Sequence, residues 1–287
     1  MKITQSLRLA LHSLASNKMR AGLTMLGIII GVGAVIALVA AGEGAQAQVR
    51  SRFESLGSNL LVITPGGMVF GPGFGQRAAS QELTSADVQA LEELVPSAAA
   101  IAPQYSLYAT LIYRSNNTQT SVLGVTPAYR QVTNWAVERG RFIDEMDQAS
   151  QARVAVLGAS VVEDLFGNTV VDPLGKTIRI NRQLYQVVGL LATKGAGGFE
   201  NLDDQVFIPL STAQIRFGGA GADSYNSISI QVVSADKIER AKAEINTVLR
   251  ARHRLAPGQQ NDFSVMDQAQ IIQMVEQTTQ TFTVLLA

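Results

Sequence analysis

The sequence predicts an α+β extracytoplasmic domain with two strand–helix–strand units and an inserted β-rich subdomain, flanked by transmembrane helices. Three observations lead there. Residues 21–42 form a run of 22 without a charged side chain. Beyond that run, apolar alternation of period two takes turns with helical periodicity, giving strand–helix–strand units near 59–113 and 224–266. After Glu276 the chain becomes uncharged again, in QTTQTFTVLLA. The expected organisation is a cytoplasmic amphipathic helix over 1–20 and a transmembrane helix over 21–42. A core domain follows over 43–270, with a base of 43–113 and 224–270 and an insertion of 114–223. Residues 271–287 read as the start of a second span.

Residues 3–16 place Ile3, Leu7, Ala10, Leu11 and Leu14 on one helical face, with Lys2, Arg8 and His12 around them. Such a helix beside a span lies at the membrane surface or meets a cytoplasmic partner, and the two roles are compatible. The run from Ala21 to Gly42 makes a helix of about 33 Å, against a bilayer core of about 30 Å. Lys2, Arg8, Lys18 and Arg20 precede it, and the first acid is Glu43. The positive-inside rule puts the N-terminus in the cytoplasm. A cleavable signal peptide, cut after Val39-x-Ala41, is the competing reading; its apolar region spans about 7–15 residues, shorter than this run. Gly27 and Gly31 form a GxxxG face, which fits close helix packing in lipid and equally the general abundance of glycine in spans.

Charged residues make up only 16% of the chain, against about 25% in soluble domains. Four of the 23 basic residues precede the span and none of the 23 acidic ones does. The remainder therefore carries 19 basic against 23 acidic residues, a net of −4. That balance, with no basic stripe, excludes a nucleic-acid binder. There is no cysteine. Disulfides, thiolate nucleophiles and cysteine metal sites are excluded, and a domain of roughly 230 residues must hold itself by its core.

NLLVITPGG (59–67) reads as a strand ending in a turn, followed by the Gly-rich loop MVFGPGFGQ. Thr84 and Asp87 form a capping-box pattern, with Val88, Leu91 and Leu94 as the buried stripe and Pro96 as the stop. QYSLYATLIY (104–113) and QTSVLGV (119–125) read as strands around the turn RSNN. RVAVLG is a short strand, followed by a helix over 159–166. TIRI and YQVVGLL are strands around NRQ. TKGAGGFENLDD is a flexible polar loop. VFIPL (206–210) is a strand before the helix STAQIRF. SYNSISIQVV alternates as a strand, and a helix over 236–253 buries Ile238, Ala241, Ile245, Val248 and Leu249. FSVMD is the last strand, before a helix carrying Ile271, Ile272 and Val275.

DPLGKT (172–177) ends like a phosphate-binding loop. The motif G-x-x-x-x-G-K-S/T needs a glycine at 170, where Val170 stands, and a helix after the lysine, where TIRI has strand character. The expectation is a turn. His12 and His253 are the only histidines, on opposite sides of the span, so a Ser-His-Asp centre would have to use His253 alone, and single histidines argue against a histidine zinc site. His253, in RARHRL, is expected at a solvated helix end. The acid clusters Asp144–Asp147 and Asp203–Asp204 lack EF-hand spacing and are expected as solvated loop charge. No catalytic, cofactor or metal residues are assigned.

SNKMRAGLTMLGIIIGVGAVIALVAAGEG followed by LGSNLLVITPGG closely resembles the N-terminus of MacB-type ABC transporter permeases, in the FtsX-like family. The likeness continues in order through GVTPAY, ERGRFIDEMD, ARVAVLG, DPLGKTIRIN, QVFIPLSTAQ and HRLAPGQQNDFSVMDQAQI, and covers nearly the whole chain. The resemblance implies a permease subunit in the cell inner membrane whose main domain is periplasmic. It implies a homodimer, a periplasmic adaptor protein as partner, and an ABC ATPase on a separate chain that binds the ATP. It implies a cut second span and two further spans beyond the sequence. Lipoprotein release or cell-division regulation is the alternative within the superfamily. From another class, the alternative is an anchored envelope enzyme or binding module, for which loss of a hydrolysis on His253→Ala would speak.

Overall fold

The computed structural model describes residues 17–56, 59–66, 81–167, 171–197, 200–219, 223–270, 273, 277 and 281. The expected helix over 3–16, the Gly-rich loop over 67–80 and the stripe Ile271, Ile272 and Val275 lie outside the described residues. The chain divides into two compact units, Met1–Val49 with Gln273–Ala287, and Arg50–Ile272.

Helix α1 covers Lys18–Leu56, 39 residues and about 58 Å. Its segment Lys18–Ala37 is long and apolar enough to cross a membrane, and none of it is buried in the chain. Leu23, Ile28, Ile29 and Ile30 stand exposed, an arrangement that favours hydrocarbon over water. Thr24, the only hydroxyl of the apolar run, donates to the carbonyls of Arg20 and Ala21 at 3.0 Å, so it needs no water. The helix runs on past Gly42 through EGAQAQVRSRFESL. Hydropathy marks the end of the apolar run there, whereas alanine, glutamine, arginine and glutamate without a proline sustain the helix.

Within the second unit the elements follow in the order β1 (Leu60–Pro65), α2 (Ser85–Leu94), β2 (Ala98–Tyr113), β3 (Asn116–Val125), α3 (Ala128–Val132), β4 (Val137–Gly140), α4 (Glu145–Ala149), β5 (Val154–Leu157) and α5 (Ala159–Phe166). Then come β6 (Thr177–Ile180), β7 (Gln183–Leu191), β8 (Ala196–Gly197), β9 (Glu200–Asn201), β10 (Gln205–Pro209), α6 (Leu210–Phe217), β11 (Ser227–Val232), α7 (Ile238–Arg252) and β12 (Phe263–Asp267).

One ten-stranded sheet carries the unit, in the order β12-β1-β11-β2-β3-β10-β5-β7-β4, with β6 pairing both β2 and β7. Strand β1 lies antiparallel to both β11 and β12, and β11 lies antiparallel to β2. The units β1–α2–β2 and β11–α7–β12 therefore interlock, each holding a strand of the other between its own two. This is the split β-α-β arrangement of ferredoxin-like folds. The sheet runs unbroken through the β2–β3 hairpin, whose register pairs Tyr113 with Asn116. The turn is thus only Arg114-Ser115, with Arg114 at φ 54, and the expected turn residues Asn116 and Asn117 belong to the strand.

Helices α2 and α7 cover one face of the interlocked strands. Leu61, Ile63, Leu91, Ile228, Ile245 and Leu249 form that core. Leu94, expected in the stripe, is 60% exposed, and Val95 takes the buried place at 2% because the helix ends there. A second core lies under α5 and α6, around Leu111, Leu157, Leu165, Ile178, Tyr185 and Ile208. On the opposite face Phe207 is enclosed edge-on by Tyr129, Trp135 and Phe142, with ring centroids 5.4, 5.7 and 5.7 Å away. The stretch VERG forms strand β4, which its four mostly exposed residues do not announce by pattern.

Gly124 sits where α6 crosses β3. A Cβ there meets the Cβ of Ala213 at 2.3 Å. Gly124→Ala therefore forces helix and strand apart, with an expected loss of about 1–3 kcal/mol in denaturant unfolding. A variant as stable as the parent refutes this account of the crossing.

Candidate functional site

DPLGKT is a turn, as expected, and its backbone N–H groups are bonded within the chain. A phosphate loop needs free N–H groups. Here the Leu174 N–H donates to Asp172 at 3.1 Å, the Gly175 N–H to the Val187 carbonyl at 2.8 Å, and the Lys176 N–H to the Pro173 carbonyl at 3.1 Å. Asp172 in turn pairs with Arg139 at 2.6 Å.

One acid of each cluster departs from the expected solvated charge, while Asp144 and Glu145 stay exposed. Asp147 and Asp203 are each 5% exposed. Asp144 and Asp147 close a capping box on α4, and Arg141 grips the Asp147 carboxylate. Burial pushes the Asp147 carboxyl up, but the hydrogen bonds from Arg141 and from the Asp144 backbone outweigh it and hold it below the usual range. Asp203 accepts the N–H groups of Lys194 and Gly195 at 2.8 and 2.9 Å, which pins the start of the β8–β9 hairpin. The expected flexible loop is thus partly ordered strand, clamped by a buried acid. The neighbouring Lys194 ammonium donates to the Thr133 carbonyl at 2.9 Å and lies 4.3 Å from the Trp135 ring centroid. Loss of water around the amine pulls its pKa down to about 8, with Asp203 opposing.

His253 also departs from expectation. Its side chain is 1% exposed, at the C-terminal cap of α7. Nδ1 lies 2.8 Å from Asp262 Oδ1, Nε2 lies 3.6 Å from Asp87 Oδ2, and the ring stands edge-on to Phe263. Helix α7 ends by turning back, with Arg254 at φ 55, and this folds the histidine under the following strand. Asp87 is 2% exposed and accepts from the Thr84 backbone at 2.9 Å, the Thr84 hydroxyl at 2.8 Å and Arg252 Nε at 2.6 Å. Burial pushes the Asp87 carboxyl up; the bonds from Arg252 and Thr84 and the nearby His253 prevail and hold it low. The capping box was legible in the sequence. The cross-link from α2 to α7 was not, because 165 residues separate the partners. The cluster clamps the two covering helices together, with the histidine side chain buried between them.

The open side of the sheet carries a cavity of about 580 Å³, lined by β1, β2, β3, β10 and β11, by Tyr129, Thr133 and Trp135 at and after α3, and by Asn201 and Leu202. Ser106, Ser121, Ser227, Ser229, Gln104 and Asp204 stand on its wall, over apolar ground from Leu60, Val62 and Leu123. Sequence reasoning missed these residues. The signal was the period-two pattern itself: in SISIQV the isoleucines enter the core and the serines take the other face. Gly27 and Gly31 lie on α1; beyond the helix's own neighbouring backbone, a Cβ added at either meets no atom of the described residues within 4 Å.

Asp87 gives a pH test. A depressed carboxyl contributes stability that is present above its unfolded pKa of about 4 and is lost as pH falls through the folded value. Asp87→Asn is expected to cost about 1–3 kcal/mol at pH 7. It should also flatten the loss of stability between about pH 4 and pH 2 relative to the parent. Denaturant titrations at pH 7 and pH 3 check this; an equal deficit at both refutes the charge clamp.

Comparison with known proteins agrees with this architecture. A family model described as the MacB-like periplasmic core domain matches residues 21–248. The macrolide export ATP-binding/permease protein MacB of Bdellovibrio bacteriovorus is 34% identical over 287 residues, all of this chain and 44% of that protein. Its counterpart in Chlorobaculum tepidum is 37% identical over 275 residues, 95% of this chain and 41% of that protein. The chain thus spans less than half the length of these relatives. Among solved structures, the periplasmic region of MacB from Actinobacillus actinomycetemcomitans superposes with a TM-score of 0.63 at 22% identity, covering 79% of this chain and 97% of that one. The extracellular domain of the noncanonic ABC-type transporter YknZ from Gram-positive bacteria gives 0.57 at 22%, covering 73% and 100%. Both carry the same α+β fold. The chain belongs to the MacB-type ABC transporter permease family and contains its periplasmic core domain.

Proposed function

We propose that this chain supplies a membrane span and the periplasmic domain of the permease subunit of an ABC-type exporter, which couples ATP hydrolysis in the cytoplasm to conformational change outside the membrane. The subunit sits in the cell inner membrane with its N-terminus in the cytoplasm. It works as a homodimer, takes an ABC ATPase as partner for ATP binding, and docks a periplasmic adaptor protein. The chain itself is a transport element and not an enzyme.

One observation carries the reading. Leu61, at the start of β1 just after α1, is paired in register with Asp267, the last residue of β12. The chain therefore enters and leaves the domain on adjacent strands. Asp267 also caps the helical residues after it, accepting from the Gln270 N–H at 2.7 Å, and its carboxylate is paired with Lys242 of α7. A shift of either connection acts directly on the seam between two paired strands. That suits mechanical transmission better than chemistry at a fixed centre. In the span, Gly27 and Gly31 are assigned to helix packing between subunits, since small residues allow close approach in lipid.

Purification of the tagged full-length subunit from membranes is expected to bring down an ABC ATPase and a periplasmic adaptor. Assembly with neither defeats the proposal, and release of a lipoprotein by the complex transfers it to the lipoprotein-release branch. Gly31→Arg sets a cation near mid-span, at about 2.5–3.5 kcal/mol on insertion scales. Reporter fusions after residue 43 should then lose export of the reporter, whereas Gly31→Ala keeps it. Normal insertion of the arginine variant counts against the span.

A further inference from the structure

The cavity on the open sheet face is unusual in what its wall leaves unused. Ser121 is registered against Tyr108 on β2 and against Gln205 on β10, and Ser227 against Gln104. Residues directly opposite on neighbouring strands share a face, so Gln104, Ser106 and Tyr108 of β2 lie on one face with Ser227 beside Gln104 and Ser121 beside Tyr108, four positions further along β2. The hydroxyls of Ser106, Ser121 and Ser227 form no hydrogen bond with any described residue. Asp204 also lines the cavity; its Oδ1 is buried and has no hydrogen-bond partner among the described residues. It is the one charged side chain among the described lining residues. Leu60, Val62 and Leu123 lie between the polar groups, and the Tyr108 ring is 75% exposed at the wall.

These features select a ligand chemistry. Free hydroxyls on a half-enclosed wall gain from a partner that both donates and accepts hydrogen bonds. The Asp204 carboxylate beneath them leaves one buried oxygen without a donor among the described residues. Apolar ground and an exposed aromatic ring suit the C–H faces of a ring. A wall with one charge has no means of gripping a polyanion, and one acid is too few for a divalent cation. The volume lies in the range of about 300–1,000 Å³ usual for small-molecule sites. We infer that the open sheet face, around Ser106, Ser121, Ser227 and Asp204, is a binding site for neutral polyhydroxylated ligands of the saccharide class. The assignment stands independently of export, since it concerns what the domain holds and not what the assembly moves.

The test uses the full chain in detergent, with maltotriose and cellotriose as probes and tetra-alanine as a strand-like control, read by saturation-transfer NMR and titration calorimetry. Saturable binding of at least one trisaccharide is expected, with no binding of the peptide. Ser121→Ala with Ser227→Ala removes hydroxyls that bond no described residue, so the fold is retained while affinity falls tenfold or more. Asp204→Asn is a second variant and should weaken binding in the same direction. Absence of saturable trisaccharide binding overturns the inference. So does binding that the variants leave unchanged, and so does binding of tetra-alanine alone, which would make the face a strand acceptor. None of these results depends on the ATPase or the adaptor, so the site and the exporter reading fail separately.

Discussion

Strand β2 is the constraint that the rest of the domain must satisfy. Its 16 residues pair with β11 along one stretch, with β3 along most of its length and with β6 near its end. Ile101 enters the core beneath α2 and α7, while Leu111 enters the core beneath α5 and α6. Ala102, on the other face, reaches the aromatic cluster around Phe207. One strand thus contributes to all three cores, and a slip of one residue in its register would turn every one of these side chains to the wrong face. The helices are placed by what this strand exposes on each side.

The carboxylates follow a common pattern. Asp87, Asp147, Asp203 and Asp267 are all buried, and each accepts a backbone N–H at a helix start or hairpin. Three of them also meet a cation from another element or from the preceding loop. A buried carboxylate without partners is costly, so such residues hold their surroundings in one arrangement. In a domain without cysteine, these acids do locally what cross-links do elsewhere.

Much of this was legible in the residues. The apolar run, the Thr84 box, the strands of alternating pattern and the helix over Ile238–Arg252 are local signals, and local signals survive into the fold. The failures have a common physical origin. His253 and the acids Asp147 and Asp203 were placed in water because their own neighbours are polar; their burial comes from partners distant in sequence or from chain reversals. Strand β4 and the hairpin β8–β9 are too short for a period to show. Helix α1 outlasts its apolar stretch because lipid affinity and helix propensity are separate properties. The serine wall was present in the alternation, but a hydroxyl facing outward looks like ordinary surface until strand pairing sets it beside others in one cavity. The interlocking of the two strand–helix–strand units was likewise hidden, since which strand fills which gap is settled by pairing and not by pattern.

The register of Leu61 against Asp267 has one more consequence. The chain returns to within a single strand spacing, about 5 Å, of the point where it entered. More than 200 residues of fold therefore close on themselves at one doorway. A body with such a doorway is a cassette. It can be lengthened, trimmed or exchanged without altering the separation of the two connections that carry it. Diversification of the outer domain is then decoupled from whatever the membrane part must keep constant.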